Sequence, residues 1–230
     1  MGRSFVLTYR MHQEHHDLYQ TAMARLAVSE DEVVERLRRA TTSAIPSYES
    51  TGPEILASQQ SKDIRWGERA FENLRSTGFI RSDWSKFIWY RPTQREFEDC
   101  MDRLAGFEAA AIIRLASMDC APARPTWQTG LEEFLEATSE TDAVKACLAH
   151  QRLMTAIVAA TGEQQLFEGY AKESSAAVTY AMAHRVDRKD LQGMARSAKK
   201  LTKMLGARDA RACAAHATAM RIHPKQTVAA

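Results

Sequence analysis

Three histidines near the start of the chain have a spacing that suits a metal ion. His12, His15 and His16 fall at i, i+3 and i+4, so a helix would place their imidazoles on one face, with Glu14 or Asp17 able to add a carboxylate. Imidazole nitrogens in this arrangement suit Zn²⁺ or another borderline metal. The other interpretation is structural: the segment belongs to an extra helix that packs on the rest of the protein or on a second subunit.

A second group of chemically capable residues is basic. Lys62, Arg65 and Arg69 are three and four residues apart, a spacing that places them on one helix face, and Lys86 precedes a short apolar run. Cations in such a row can neutralise phosphates and reach base edges. The alternative is a solvated helix face with mixed-charge pairs such as Arg65 with Glu68.

The segments around these cations follow a recognisable order of elements. Apolar residues at helical spacing predict a first helix that ends near Ser43, and Thr51 is the expected N-cap of a short second helix. A third helix is predicted through Ile64–Leu74, with Gly78 at its C-terminal end. Two strands with a turn around residues 82–83 come next. Helix, helix, turn, helix and hairpin is the order of a winged helix-turn-helix.

These residues resemble the GntR family of bacterial transcriptional regulators. The similarity runs without a gap through ILASQQSKDIRWGERAFENLRSTGFI, Ile55–Ile80. RPTQREFEDCMDRLAGFEAAAIIRLA, Arg91–Ala116, resembles the entry into the FCD effector domain of FadR-like members, and the similarity covers most of the chain from Val33 onward. The resemblance implies a homodimer that binds DNA through its winged helices and senses a small organic effector in its helical half.

Several positions depart from the family's DNA-contact pattern. The resemblance implies arginines at the start of the third helix and one turn later, where this sequence has Ile64 and Glu68, and a Ser or Thr where it has Asp63. Glu54 occupies a position that is often basic, and Ser85 occupies that of the wing glycine. Carboxylates cannot neutralise phosphates. The DNA-binding residues that we predict are therefore the remaining cations, Lys62, Arg65, Arg69 and Lys86.

The second half of the chain is predicted to be helical, except for a long loop at Ala121–Gly130. The six predicted helices are Thr93–Asp119, Leu131–Glu136, Glu140–Thr161, Glu163–His184, Lys189–Gly206 and Ala207–Ile222. The fold class is mainly α, with an N-terminal winged helix-turn-helix and a C-terminal antiparallel six-helix bundle similar to the FCD domain. We divide the chain into a 1–32 extension, a 33–91 winged domain and a 92–230 effector and dimerisation domain.

The resemblance also implies a metal site in the bundle, and this sequence lacks its ligands. Many FCD domains hold a divalent metal through an Asp or Asn, a His four residues later and two histidines on the last two helices. Those positions here are His150, Met154, Ala198 and Met220, while Leu104 stands where a pocket arginine is implied. We expect no metal there and a more apolar cavity for an organic effector, unless the apolar side chains simply fill the space. The ligand-binding residues that we predict are Arg103, Leu104, His150, Met154, Ala198, His216 and Met220.

Composition excludes several classes of protein. A net charge of +2 and a pI of about 8.4 show no strong signature of a polyanion-binding protein. The four cysteines form no CxxC pair, which indicates reduced thiols. No apolar run has membrane-spanning length, and the first ten residues lack a signal peptide's apolar core, so we expect a cytoplasmic protein without a membrane partner.

Three functions stay open on the sequence alone. The first is a divergent GntR-like transcriptional regulator, which we prefer because the helix order, hairpin and linker are all intact. The second is a protein that kept this fold, lost operator binding and acts through protein partners. The third is an enzyme or ligand carrier in the helical half, which we favour less because the sequence has no GxSxG motif and no phosphate-binding glycine loop.

Overall fold

The computed structural model describes residues 16–43, 50–118 and 124–219. Residues 16–25 are helical and form α1. The winged head comprises the elements that follow, namely α2 (Glu32–Ser43), β1 (Ser50–Thr51), α3 (Pro53–Gln59), α4 (Ile64–Ser76), β2 (Ile80–Asp83) and β3 (Lys86–Trp89). The helical body comprises α5 (Gln94–Ala116), α6 (Arg124–Ala137), α7 (Ala143–Ala159), α8 (Gln164–Glu173), α9 (Ala176–Ala183), α10 (Arg188–Ala207) and α11 (Ala210–Ala219).

Helix α4 is the best-defined element of the head. The Asp63 side chain caps it by accepting a hydrogen bond from the Trp66 backbone N–H at 2.8 Å. Trp66, Ala70 and Leu74 recur at helical spacing and are buried against the rest of the head. Gly78 follows the helix with φ +87, the left-handed conformation that commonly ends a helix. The predicted third helix and its glycine stop are confirmed.

The head contains three strands where the sequence predicts two. β3 lies between β1 and β2, and both pairings are antiparallel. Thr51, predicted as the N-cap of the second helix, instead pairs with Phe87 as part of β1. The N-cap of α3 is Gly52. A strand of two residues has too little sequence for an alternating pattern, so only its pairing with the hairpin reveals it.

The hairpin between β2 and β3 turns at Trp84 and Ser85 rather than at residues 82–83. Asp83 still pairs with Lys86, which leaves two residues for the turn. Trp84 has φ +53. Two-residue hairpin loops favour turns with positive φ because their twist matches that of the strands. The turn therefore lies two residues later than the sequence predicts, and the first strand of the wing continues to Asp83.

The helical body begins with the long helix α5. Thr93 and Glu96 form a reciprocal capping box at its start. The buried face of the helix includes Phe97, Leu104 and Ile112, which belong to the main hydrophobic core. The predicted start of this helix is confirmed.

The prediction of a loop at Ala121–Gly130 is wrong from residue 124 onward, because α6 begins there. Pro125 lies in the first turn of α6, where its missing N–H needs no partner. Gly130 lies against α7, and a Cβ added to it would be 3.3 Å from the Leu153 Cα. The proline starts a helix and the glycine permits close helix packing, so neither residue breaks the chain here.

The helix predicted at Glu163–His184 is divided into α8 and α9. The Ser175 side chain caps α9 by accepting from the Val178 backbone N–H at 3.3 Å. The break lets the Ala177 N–H donate to the Thr77 carbonyl oxygen of the head at 3.3 Å. The continuous apolar periodicity of this segment concealed the division.

The predicted fold class, mainly α with an N-terminal winged helix-turn-helix and a C-terminal helical bundle, is confirmed. The proposed domain boundaries remain predictions. None of the helices in the described ranges combines the length and apolarity needed to cross a bilayer.

Candidate functional site

The outer face of the head carries the predicted DNA-binding cations. Lys62, Arg65 and Arg69 are all exposed on or beside the first half of α4, and Lys86 is exposed at the start of β3. The structure thus leaves all four side chains open to solvent, as a phosphate-binding surface requires.

The same face carries the residues that depart from the family pattern. Ile64, at the first position of α4, is 45% exposed, and Glu68 one turn later is also exposed. An exposed isoleucine can contact a thymine methyl group but cannot bind a phosphate. The negative charge of Glu68 lies in the same row as the cations and opposes the approach of a polyanion.

Trp84 at the tip of the wing is a candidate residue that sequence reasoning did not select. It is completely exposed, whereas Trp66, Trp89 and Trp127 are buried. A fully exposed tryptophan is uncommon on a protein surface, which makes Trp84 a candidate contact residue. The signal in the sequence was its place in a hairpin turn, two residues before Lys86.

Trp66 has a structural role. Its indole is buried, and its Nε1 donates a hydrogen bond to Asp31 Oδ2 at 2.7 Å. Asp31 also accepts hydrogen bonds from the backbone N–H groups of Val33 and Val34 at the start of α2. Trp66 therefore holds α2 and α4 together.

The inner face of the head is joined to the body by paired charges. Arg39 of α2 donates to both carboxylate oxygens of Asp142, at 3.2 and 2.9 Å, and to Glu35 at 2.9 Å. The Tyr180 hydroxyl of α9 lies 2.7 Å from Glu35 Oε2 and donates to this carboxylate. Asp142 also caps α7 through the Val144 and Lys145 N–H groups. One carboxylate thus links the first helix of the head to α7 of the body.

The electrostatics of Asp142 follow from these contacts. Desolvation alone would raise the pKa of its carboxyl group. Hydrogen bonds from Arg39 and from the α7 backbone outweigh that effect and lower the pKa. The carboxylate is therefore ionised at neutral pH, as both its ion pair and its capping role require.

The predicted ligand-binding residues occupy different environments. Leu104, Met154 and Ala198 lie on α5, α7 and α10 and are buried in the main core. Arg103 points to the surface, where its Nη2 is 3.0 Å from Glu173 Oε2. The Nε2 of His216, on α11, lies 3.4 Å from the hydroxyl oxygen of Ser197. Met220 falls outside the described residues.

His150 is the predicted residue with the clearest unsatisfied polar atom. Its ring packs against Phe134, with the ring centroids 5.0 Å apart. Its Nδ1 is buried and has no hydrogen-bond partner. Desolvation lowers the pKa of His150 to about 4, so the ring is neutral at physiological pH.

A buried polar chain crosses the body on the neighbouring face of α7. The Gln151 Nε2 donates to the Tyr170 hydroxyl at 2.6 Å and to the Ser174 hydroxyl at 2.8 Å. The Tyr170 hydroxyl donates to Glu108 Oε1 at 3.2 Å. Desolvation raises the pKa of Glu108 to about 7, although the hydrogen bond from Tyr170 acts in the opposite direction. Sequence reasoning missed this chain because its members come from three helices.

Three of the four positions at which the resemblance implies metal ligands lie in the described residues. Of the four positions, Met154 and Ala198 offer apolar side chains, and His150 is a lone histidine. Within the ranges 16–43, 50–118 and 124–219, no group of three or more His, Cys, Asp and Glu side chains is placed to hold a metal ion. In the predicted N-terminal metal cluster, His12 and His15 lie outside the described residues, and His16 is exposed. The cofactor predictions therefore stay predictions.

No family model matches the sequence, and no curated protein matches it. Among solved structures, the chain is similar to Lar, described as controlling expression of the Listeria monocytogenes agr system. The two chains are 14% identical, the match covers 84% of this chain and 93% of Lar, and the TM-score is 0.59. It is similar to E. coli McbR/YncC at 14% identity, covering 83% and 92% of the two chains with a TM-score of 0.55.

A third similar structure is a transcriptional regulator GntR from Rhodococcus sp. RHA1. Identity is 13%, 82% of this chain and 91% of that chain are covered, and the TM-score is 0.59. At these identities the likeness establishes a shared fold over most of both chains. It supports the architecture described above, a winged head joined to a helical body.

Proposed function

We propose that this chain is a transcriptional regulator that binds DNA as a homodimer through its winged heads and senses a small organic molecule in its helical body. The observation that carries the proposal is the exposed row of Lys62, Arg65 and Arg69 on α4, with Lys86 on the wing beside it. These cations occupy the outer face of a fold shared with solved regulator structures.

The cations would bind mainly the DNA backbone. Each phosphate that Lys or Arg neutralises releases condensed counterions, which makes affinity depend steeply on salt. Ile64 at the start of α4 is placed for apolar contact with a base edge, and Glu68 disfavours some sequences by repulsion. The changed positions therefore alter the operator sequence without removing the electrostatic basis of binding.

The head–body contact offers a route for regulation. Asp142 caps α7 and binds Arg39, so a ligand that shifts α7 also shifts the first helix of the head. In a dimer, such a shift changes the spacing of the two heads and moves the population between two dimer states. Dimerisation is measured directly by light scattering of the purified chain, for which we expect twice the mass of one chain.

DNA retardation tests the proposal. The purified chain is expected to retard a fragment of its own promoter region at low salt, and Arg65→Ala combined with Arg69→Ala is expected to abolish the shift. Each single variant, Arg65→Ala or Arg69→Ala, should lower the slope of log affinity against log salt by about 0.9, the value of one phosphate contact. Arg75→Ala is the matched control, because Arg75 lies in the last turn of α4 and pairs with Glu72.

We further propose that the bundle works without a metal ion, because three of the four implied metal positions, Met154, Ala198 and Met220, hold apolar side chains. Metal analysis of the purified full chain, beside a variant that lacks residues 1–20, tests both this and the N-terminal histidines. Metal in the full chain alone would assign it to the N-terminal segment. Metal retained by both forms would contradict a metal-free bundle.

A second function is favoured by one observation. Four large apolar residues of the head, Ile55, Ile64, Trp84 and Phe87, are exposed. Such a surface also suits a protein partner if operator binding has been lost. Failure to retard any upstream fragment at low salt, with the chain folded and dimeric, would favour this partner-binding function.

A further inference from the structure

A small cleft opens between α1 and the body, outside the core that holds the family's metal positions. Its volume is about 240 Å³. Two residues from each of α1, α6 and α7 form most of its wall, namely Tyr19, Met23, Thr129, Glu133, Arg152 and Ala156. Drug-sized ligands occupy sites of roughly 300–1,000 Å³. The cleft therefore suits a smaller molecule.

Helix α1 is firmly placed as one wall of this cleft. The centroid of the Tyr19 ring lies 6.5 Å from the centroid of the Phe167 ring, which belongs to α8. Ala22 and Leu26 are buried in the main core. The carbonyl oxygen of Ala27 accepts a hydrogen bond from the buried Arg38 at 3.0 Å. The extra helix predicted at the N-terminus thus packs on the body of its own chain.

Two opposite charges form a loose ion pair at the cleft wall. Arg152 Nη2 is 3.6 Å from Glu133 Oε2, which is longer than a normal hydrogen bond. The Nε of Arg152 is buried and has no hydrogen-bond partner. A buried guanidinium N–H without an acceptor is costly, so Arg152 gains if its side chain turns its planar donors toward an added carboxylate, the acceptor that fits them best.

We propose that the cleft binds a small zwitterion of the α-amino acid class, with its carboxylate on Arg152 and its ammonium on Glu133. An α-amino acid carries both charges on one carbon, a separation that matches the short distance between these two side chains. Met23 and Ala156 supply apolar wall for the ligand's side chain. Tyr19 also lines the cleft, and desolvation and then the charge of Glu133 raise the pKa of its hydroxyl.

The inference names a ligand class for the sensor role proposed above, and its regulatory meaning rests on that role. Arg152 lies on α7, the helix that Asp142 caps while it binds Arg39 of the head. Ligand binding at Arg152 would therefore act on the helix that is tied to the head. Binding of the amino acid is measured without DNA. A chain that binds no amino acid can therefore be distinguished from a chain that does not bind DNA.

The test is calorimetric titration of the full chain with each standard L-amino acid, after a screen by thermal unfolding. We expect at least one amino acid to raise the melting temperature and to bind once per chain. Arg152→Gln and Glu133→Gln should each weaken binding about tenfold or more, equivalent to about 1.4 kcal/mol. Arg114→Gln is the matched control, because Arg114 pairs with Glu163 away from the cleft. Its affinity should equal that of the unaltered chain.

Two further comparisons make the chemistry decisive. The deaminated acid and the decarboxylated amine of the bound amino acid should each bind about tenfold more weakly or worse. Thr129→Trp blocks the cleft from an exposed position without touching the ion pair, so it should abolish binding even if an Arg152 variant fails to fold. Absence of binding by every amino acid at millimolar concentration would overturn the proposal, as would equal binding by the deaminated acid or by the blocked variant.

Discussion

The two faces of the winged head use charge in opposite ways. On the inner face, Arg38 and Arg39 of α2 are held by acceptors, and Arg38 is only 2% exposed. On the outer face, Lys62, Arg65 and Arg69 of α4 are exposed to solvent. Of the inner-face charges, Arg38 ties α2 to α4 and to the segment after α1, and Arg39 ties α2 to Asp142 of the body. The outer-face charges add little to folding and are available for a partner.

This difference separates effects on stability from effects on binding. Replacing an inner-face residue leaves a desolvated partner without its hydrogen bond, so the cost appears in the free energy of unfolding. Replacing an outer-face residue should leave unfolding almost unchanged and alter affinity. The predictions below test that separation, beginning with the largest expected change.

Arg38 should show the largest effect on stability. Its guanidinium donates to the Ala27 carbonyl oxygen, Asn73 Oδ1 and Thr77 Oγ1, so Arg38→Ala leaves three acceptors unpaired and opens a cavity. We expect the free energy of unfolding to fall by about 3–5 kcal/mol, as measured by urea denaturation. Arg36→Ala, on the exposed side of the same helix, is the control and should change it by less than about 0.5 kcal/mol. Similar losses for both variants would remove the contrast.

Glu108 should make stability depend on pH in a direction unusual for a carboxylate. Burial raises its folded-state pKa to about 7, so the folded state holds its proton more tightly than the unfolded state does. Its contribution is present below the unfolded pKa of about 4.3 and is lost as the pH rises through 7. The expected loss is about 3–4 kcal/mol by pH 8.

Glu108→Gln isolates this effect, because it removes the titration and keeps an acceptor for the Tyr170 hydroxyl. The difference in unfolding free energy between the two proteins should grow in favour of Gln from pH 5 to pH 8. His150 acts in the opposite direction: its pKa of about 4 removes stability as the pH falls, and it is present in both proteins. A difference that is flat with pH would contradict an elevated Glu108 pKa.

Substitutions of Asp142 should have an intermediate effect on the free energy of unfolding. Two of them separate its role as the cap of α7 from its ion pair with Arg39. Asp142→Ala removes both the cap of α7 and the ion pair with Arg39, with an expected cost of about 1–2 kcal/mol. Asp142→Asn keeps a capping oxygen and loses only the charge, so it should cost less than about 1 kcal/mol, because the pair is partly exposed. Glu140→Gln, which breaks the exposed pair with Lys145, is the control. Coupling between Asp142 and Arg39 is measured by a double-mutant cycle.

Replacing Trp84 should have the smallest effect on the free energy of unfolding and should change the tryptophan fluorescence clearly. Because the other three tryptophans are buried, Trp84→Phe should remove most of the fluorescence that iodide can quench. The free energy of unfolding should change by less than about 0.5 kcal/mol. If the wing contacts DNA, an operator fragment should protect Trp84 from iodide. Unchanged quenching in a complex that retards normally would place the wing away from the DNA.

Local residue patterns were sufficient to predict much of the head. Helix α4 was predictable because Trp66, Ala70 and Leu74 repeat with the helical period and Gly78 supplies the positive φ that stops it. The exposure of Arg65 and Arg69 followed from the same period. These features depend on residues within a few positions of one another, so their physical causes are present in the sequence itself.

Long-range contacts account for what the sequence did not predict. Arg39 and Asp142 are 103 residues apart, and Gln151 meets Tyr170 only because α7 packs against α8. The cleft wall around Arg152 likewise combines three helices.

The sequence by itself determined most of the helical segments, the end of α4, the start of α5 and which cations of α4 face solvent, because propensity, capping and periodicity act locally. Only the tertiary structure decided which charges are paired, which polar atoms are left without partners, and that α8 and α9 are separate helices. Desolvation and pairing depend on neighbours brought together by packing, and a one-dimensional pattern does not contain those neighbours.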